Sequence, residues 1–362
     1  MPFDAPAGPD FPPPDATPTD ATPGDANPVL VEVTRGGTVE SRHRGAFAVV
    51  DTDGRVVLSA GRVETPVYPR STIKPIQALA LIESGAAEAF ALTDAELALA
   101  CASHNGEPDH VQTVTAWLDR LGLGAGDLEC GGHAPKHGAS ADALARAADP
   151  WDARHDNCSG KHTGFLTLAR QLGAPTRGYV DFAHPVQQRV LGVLEQMTGL
   201  DDLTAQPRGI DGCGIPTIAV ALGNLALALA RFGEPDDQPD RRQDACRRLL
   251  QAVWWQPRMI AGTGRVDSAI AAALGGRCLA KAGAEGVHGA VLPELGLGLA
   301  LKIDDGAGRA AEVALLRILR RLQLLDGAAG EALAGYATPD VTARDGRSVG
   351  EIRPVAEFPG LD

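Results

Sequence analysis

The chain has 362 residues, 44% of them hydrophobic but only 4% aromatic, and its 33 basic against 46 acidic side chains leave a formal net charge of −13. This excludes binding to a nucleic-acid backbone and to anionic membrane surfaces, which need clustered Lys and Arg. The length admits one large domain or two, with a core filled mainly by Ala, Leu and Val.

Residues 1–28 hold nine of the 26 prolines, five Asp and no Lys or Arg. Asp15-Ala16-Thr17-Pro18, Asp20-Ala21-Thr22-Pro23 and Asp25-Ala26-Asn27-Pro28 follow one another at five-residue spacing. Such a composition does not repay its ordering entropy, so a disordered acidic tail is expected, followed by one catalytic-type domain over 29–362. The tail has neither a basic start nor an apolar stretch, so no secretory leader is expected. Six cysteines without an export signal then read as reduced thiols of a cytoplasmic protein.

In chain order, alternating apolar residues predict a strand at 29–34, and two more at 46–50 and 55–59 around the turn Asp51-Thr52-Asp53-Gly54. Helices follow. One covers 75–84 and stops at Gly85, and a second opens on the capping box Thr93-Asp94-Ala95-Glu96. Val111, Val114, Trp117, Leu118 and Leu121 recur at helical spacing, and further helices are predicted at 164–172, 185–197 and 241–255. The apolar run 215–230, interrupted by Pro216, Gly223 and Asn224, is too short to span a bilayer and reads as a buried helix. Strands return at 278–281, 287–291 and 297–303, before a closing amphipathic helix at 312–325. The class is therefore α+β: an antiparallel sheet built from both chain ends, with a helical lobe of roughly 70–260 between them and a cleft at the junction.

Chemistry concentrates in a few segments. In Arg70-Ser71-Thr72-Ile73-Lys74-Pro75, Ser71 and Lys74 are three apart and share a helix face. A neutral lysine can take the serine proton, and a helix N-terminus offers N–H groups to an oxyanion. The alternative is Ser71 as an ordinary helix cap beside a surface lysine. In Cys101-Ala102-Ser103-His104-Asn105-Gly106-Glu107, Ser103 is a candidate proton-shuttling hydroxyl, with His104 or Asn105 as a donor to substrate; a helix stop and turn is the plainer reading. Lys281-Ala282-Gly283 lies on a late strand. S-x-x-K, then S-x-N, then K-x-G is the motif order of penicillin-recognising serine enzymes, and a second lysine would help to neutralise Lys74. Cys158 and Cys213, on glycine-containing segments, suggest either a soft-metal site or buried inert thiols. Cys130 and His133 are a lesser metal candidate. Gly262-Thr263-Gly264-Arg265 lacks what a nucleotide loop needs. Arg265 and Asp267 either hold a charged substrate or pair with each other.

Together the stretches 70–77, 101–107, 130–135, 157–162, 211–216 and 262–267 resemble the rhizobial-type (class 3) L-asparaginase II family, Asn157-Cys158-Ser159-Gly160-Lys161-His162 being the most specific piece. The resemblance covers roughly 29–355. It implies a serine β-lactamase/glutaminase-like fold, a homodimer, and hydrolysis of L-asparagine to L-aspartate and ammonia. By position it implies Ser71, Lys74, Ser103 and Lys281 as catalytic residues. It also implies a metal site, commonly zinc, at Cys158, Lys161 and Cys213, with Asp211 beside it, the zinc being read as an organiser of the site. Arg70, His104, Asn105, Asp211, Arg265 and Asp267 complete the candidate substrate contacts: Arg265 for the α-carboxylate and Asp211 for the α-ammonium. Two other readings stand beside this one: another Ser-Lys amidohydrolase (a glutaminase or a β-lactamase-like enzyme), or a non-catalytic zinc or amino-acid binding protein.

Overall fold

The computed structural model describes residues 26–148 and 150–361. The predicted tail lies outside these residues except for 26–28. There Asn27 donates to Asp304 and accepts from the Arg62 N–H, so it already belongs to the folded part.

Strands β1 (Val29–Arg35), β2 (Thr38–Asp51) and β3 (Val56–Ala60) open the fold. Two-residue β4 (Pro66–Val67) leads to a 3-10 turn at Arg70–Ile73, which runs directly into α1 (Lys74–Glu83). The helical lobe continues through α2 (Ala86–Ala89), α3 (Asp94–Ala100), α4 (Pro108–Arg120), α5 (Gly138–Ala147), α6 (Ser159–Leu172) and α7 (Pro185–Thr198). The Thr93–Glu96 capping box forms as predicted at the start of α3. After short strands β5 (Arg208–Ile210), β6 (Pro216–Ile218) and β7 (Val220–Ala221) come α8 (Leu222–Gly233), α9 (Asp240–Trp255) and α10 (Val266–Leu274). Strands β8 (Leu279–Ala282), β9 (Val287–Leu292) and β10 (Leu297–Ile303) precede α11 (Gly308–Arg321) and α12 (Ala328–Ala337), and β11 (Asp340–Thr342) and β12 (Ser348–Pro354) close the chain.

The main sheet is antiparallel, ordered β11-β12-β1-β2-β10-β9-β8, with β3 also paired to β2. Both chain ends therefore build it, as the sequence pattern implies. Alternation along β2 divides the core. Ala46, Ala48 and Val50 face the helical lobe, whereas Phe47 and Val49 face α10–α12. At about 1.5–3 kcal/mol for each large side chain buried, these two layers dominate the stability. At its far end α1 is clamped to α9: Arg242 grips Glu83 through two bonds of 2.5 and 3.1 Å, both side chains being buried.

Three predicted elements differ. The amphipathic helix expected at 312–325 spans Gly308–Arg321 and does not close the chain, because α12, β11 and β12 follow it. The run 215–230 is not one helix. Pro216, lacking an N–H, starts β6, which pairs with β5, and β7 pairs with β4 before α8 begins at Leu222. And α6 starts at Ser159 rather than 164, so Lys161 and His162 lie in its first turns instead of on a loop. Among the described residues no helix is long and apolar enough to cross a membrane.

Candidate active site

Lys281 alternates with Ala280 on β8, so it points into the helical lobe while Ala280 faces α10–α12. There its Nζ meets Ser103 Oγ at 2.9 Å, just beyond the end of α3. Lys74, in the first turn of α1, reaches the same Ser103 oxygen at 3.0 Å. Both lysines are buried, 1% and 0% exposed. Lys74 also donates to the Ala102 carbonyl at 2.5 Å and meets Cys158 Sγ at 3.2 Å. Burial brings the Lys281 ammonium down to about 7; the positive charges of Lys74 and Arg265 push the same way, and Asp267 opposes them. The 3-10 turn can lie this close to β8 because residue 283 is glycine. A Cβ there would stand 2.7 Å from Thr72 Oγ1 and 2.8 Å from the Pro69 carbonyl.

Ser71 stands on that turn and is partly exposed. Its hydroxyl has no hydrogen-bond partner among the described residues, so it is not a side-chain cap. Nor is it bonded to the Lys74 amine: the Ser71–Lys74 contact is between backbone groups, Lys74 N–H to Ser71 carbonyl. The residue before it, Arg70, is held at φ 51°, a conformation that costs a non-glycine residue about 1–3 kcal/mol and concentrates at functional sites. Ser71 lines a narrow crevice with Arg70, Lys74, Gln77, Asp211 and Thr217. Gln77, one helical turn beyond Lys74, is buried and its amide has no partner among the described residues; the Thr217 hydroxyl is likewise buried and unpartnered. Both were missed by the sequence reading, although 71, 74 and 77 mark one helix face.

Asp211 is bound to Arg70 at 2.7 Å and to the Gly212 N–H through Oδ1, which leaves Oδ2 without a partner among the described residues. Burial pushes its carboxyl up, but Lys161 and Arg70 outweigh that and hold it below the usual range. Arg265 does not pair with Asp267. Its guanidinium donates to Asn105 Oδ1 at 3.1 Å, while Asn105 donates to the Thr263 carbonyl. Glu107 accepts from the Thr263 N–H at 2.6 Å and hydroxyl at 2.8 Å. Burial raises the Glu107 carboxyl, but these two bonds outweigh it and hold it low. Gly262, at φ 111°, leaves room for that carboxylate where any side chain would collide with it.

Two predicted substrate contacts are corrected. His104 is fully buried. Its Nδ1 accepts the Gly106 N–H, so its Nε2–H donates to Ser159 Oγ, and no ring atom remains for a ligand. Asp267, 1% exposed, accepts from His288 at 2.8 Å and from the Ala282 N–H at 3.0 Å, so it faces protein and not the cleft.

Cys158, the residue preceding α6, Lys161 and Cys213 do converge. Lys161 Nζ is 3.0 Å from Cys213 Sγ, and Cys213 hydrogen-bonds to Cys158. That bond, with Lys74 and Lys161 nearby, holds the Cys158 thiol well below its usual range, while the proton is kept on Cys213. Two sulfurs and an amine suit a borderline-soft cation such as zinc. Among the described residues no three His, Cys, Asp or Glu side chains form a metal cluster, so a cation held here would need Lys161 as its third donor. In the structure its ammonium is stabilised: burial disfavours the charge, but Cys213 and Cys158 outweigh that. Cation entry would therefore release protons from Lys161 and the thiol pair. Cys130 and His133 point elsewhere, Cys130 to the Gly131 and Ala153 carbonyls and His133 to the Ala134 carbonyl and Asn157 N–H.

The chain has only five lysines: Lys74, Lys136, Lys161, Lys281 and Lys302. Lys74, Lys161 and Lys281 meet here. The exposed Lys136 lies within reach of their charge: partial desolvation, then the charges of Arg265 and Lys74, lower it. Lysine is the cation whose proton affinity shifts most readily on burial, and arginine carries nearly all other positive charge.

A buried hydroxyl held by two lysine amines, with Ser71 near one of them on a strained turn, is an arrangement that can move a proton to and from a hydroxyl. The family model for L-asparaginase II matches residues 31–354, and the chain belongs to that family. No curated protein matches the sequence. Among solved structures it is similar to a β-lactamase from Mycobacterium bovis (14% identity, 81% of this chain and 95% of that one, TM-score 0.35). It is also similar to a class C β-lactamase from Rhodobacter sphaeroides (15%, 77% and 94%, 0.38) and to a simvastatin synthase variant from Aspergillus terreus (12%, 72% and 84%, 0.32).

Proposed function

We propose that this protein is an L-asparaginase that works through an acyl-enzyme. Ser71 Oγ attacks the side-chain amide carbon of L-asparagine, and its proton passes to Lys74. Collapse of the tetrahedral species breaks the C–N bond. The departing amine takes a proton through Ser103 and leaves as ammonia. Water then cleaves the Ser71 ester to release L-aspartate and restore the serine. The observation that carries this reading is Ser103 Oγ between Lys74 and Lys281, a relay that can both accept and return a proton. Asp211 Oδ2 is assigned to the α-ammonium and Arg265 to the α-carboxylate. Zinc, the expected cofactor, would be held by Cys158, Lys161 and Cys213, where it fixes α6 against the Asp211–Cys213 loop. A cytoplasmic homodimer is part of the same proposal.

The double lysine contact also favours a second reading, in which Ser103 itself is the nucleophile. Ammonia release from L-asparagine and L-glutamine by wild type, Ser71→Ala and Ser103→Ala tests the activity. Rapid acid quench followed by peptide mass mapping places the aspartyl ester on residue 71 or residue 103. Ester on Ser71 supports the proposal, and ester on Ser103 replaces it. No ammonia from either amide by folded, zinc-loaded protein overturns the amidohydrolase reading in favour of a binding protein.

A further inference from the structure

Lys281 lies on β8, the edge strand of the main sheet. An edge N–H has no strand partner. At Ala282, next to the lysine, that N–H is taken by Asp267 Oδ2 at 3.0 Å. The other oxygen, Oδ1, meets His288 Nε2 at 2.8 Å, and both side chains are 1% exposed. His288 stands on β9 directly opposite Ala282 in the register. Asp267 itself sits in the first turn of α10, where the helix dipole favours a carboxylate. One buried carboxylate thus ties α10, β8 and β9 together beside the lysine that touches Ser103. Nothing in the relay itself uses it, and a fully buried carboxylate is a costly way merely to join two strands and a helix.

We propose that Asp267 and His288 form a positioning pair that holds Lys281 against Ser103 and sets the pH at which its amine loses its proton. Asp267 supplies the negative charge that favours the ammonium, and His288 limits that charge by sharing it. The groups facing Lys281 are Asp267, Lys74, Arg265 and Cys158; those facing the pair from behind are Glu312 on α11 and Cys278. Burial, with Asp267 adding to it, raises the Glu312 carboxyl, so Glu312 contributes less negative charge than a free carboxylate would. This inference extends the proposed function by naming what tunes its relay, but its test does not need turnover.

The full-length protein, labelled with ¹³C at lysine Cε, gives at most five side-chain signals, because the chain has five lysines. Lys281→Met assigns the signal of interest. In wild type that signal is expected to titrate near neutrality. In Asp267→Asn, which keeps the shape and an acceptor for the Ala282 N–H, it should titrate lower by about one pH unit or more, since a favourable charge is gone. In His288→Gln it should titrate higher, since Asp267 is then less compensated. A merely structural role predicts something different: loosening admits water, and both variants move up toward the ordinary lysine value. Two upward shifts, or no shift in Asp267→Asn, overturn the proposal. If Asp267→Asn does not fold, the His288→Gln/Asp267→Glu double variant provides the comparison, and a return toward the wild-type titration relative to His288→Gln is not expected, because the charge remains; such a return overturns the proposal. In an active protein the acid limb of kcat/KM should follow the NMR shifts. NMR shifts as described without asparaginase activity would leave this inference standing and refute only the proposed reaction.

Discussion

Lys281 Nζ stands 2.9 Å from Ser103 Oγ across 178 residues of chain, and Lys74 reaches the same oxygen from the opposite lobe at 3.0 Å. The relay therefore exists only when sheet and helical lobe are assembled, and of the two lysines Lys281 can be removed without touching Ser71 or its proposed base.

Ser103→Ala and Lys281→Met are each expected to lower kcat for L-asparagine by about 10²–10⁴-fold, the range for losing a positioned acid–base group. KM should change little, because neither group is assigned to the ends of the substrate. Steady-state ammonia release checks this; a large rise in KM at unchanged kcat would move both residues into the binding site.

The buried Lys281 amine, brought down to about 7, implies a rise of kcat/KM through neutrality as the free base forms. The sign for stability is the same. An unfolded lysine keeps its proton up to about 10.4, so between about 7 and 10 the unfolded chain binds the extra proton and the folded state gains with rising pH. Lys281→Arg, charged throughout this range, should abolish the rise. A pH–rate profile paired with denaturant midpoints at pH 7 and 9 measures both.

The sulfur–amine cluster is expected to hold one zinc per chain, measured by elemental analysis after dialysis. Cys213→Ser should lose it. Because Lys161 and the thiol pair carry protons in the metal-free state, loading should release protons, and affinity should fall as pH drops. Zinc retained by both Cys158→Ser and Cys213→Ser would place the metal elsewhere.

Gln77 lines the Ser71 crevice with an amide that has no partner among the described residues, which matches the donor–acceptor pair of a carboxamide. Gln77→Leu removes about 1–3 kcal/mol of hydrogen bonding and should raise KM roughly ten- to a hundredfold with the fold intact. Unchanged kinetics would assign Gln77 to packing beneath α1.

Much of the site was legible because its motifs are local. Ser71 and Lys74 share a helix turn, Ser103 follows the end of a capped helix, and the Asn157–His162 stretch reads continuously. Patterning likewise placed strands at both chain ends and helices between them, since alternation and the 3.6-residue period survive in one dimension. The pairing of charges was not legible. Spacing puts Arg265 beside Asp267, yet helix α10 begins between them and sends Arg265 to Asn105 and Asp267 to His288. His104 reads as a ligand donor until burial shows both ring nitrogens engaged with Gly106 and Ser159. Sequence alone determined the family, the order of the serine and lysine motifs and the α+β pattern, because these depend on residue identity and period. Only the tertiary structure decided that Lys74 touches Ser103 rather than Ser71, that burial lowers the proton affinity of Lys281, and that Asp267 faces the sheet. Each of these depends on desolvation and on distances between residues far apart in the chain, quantities that the order of residues does not contain.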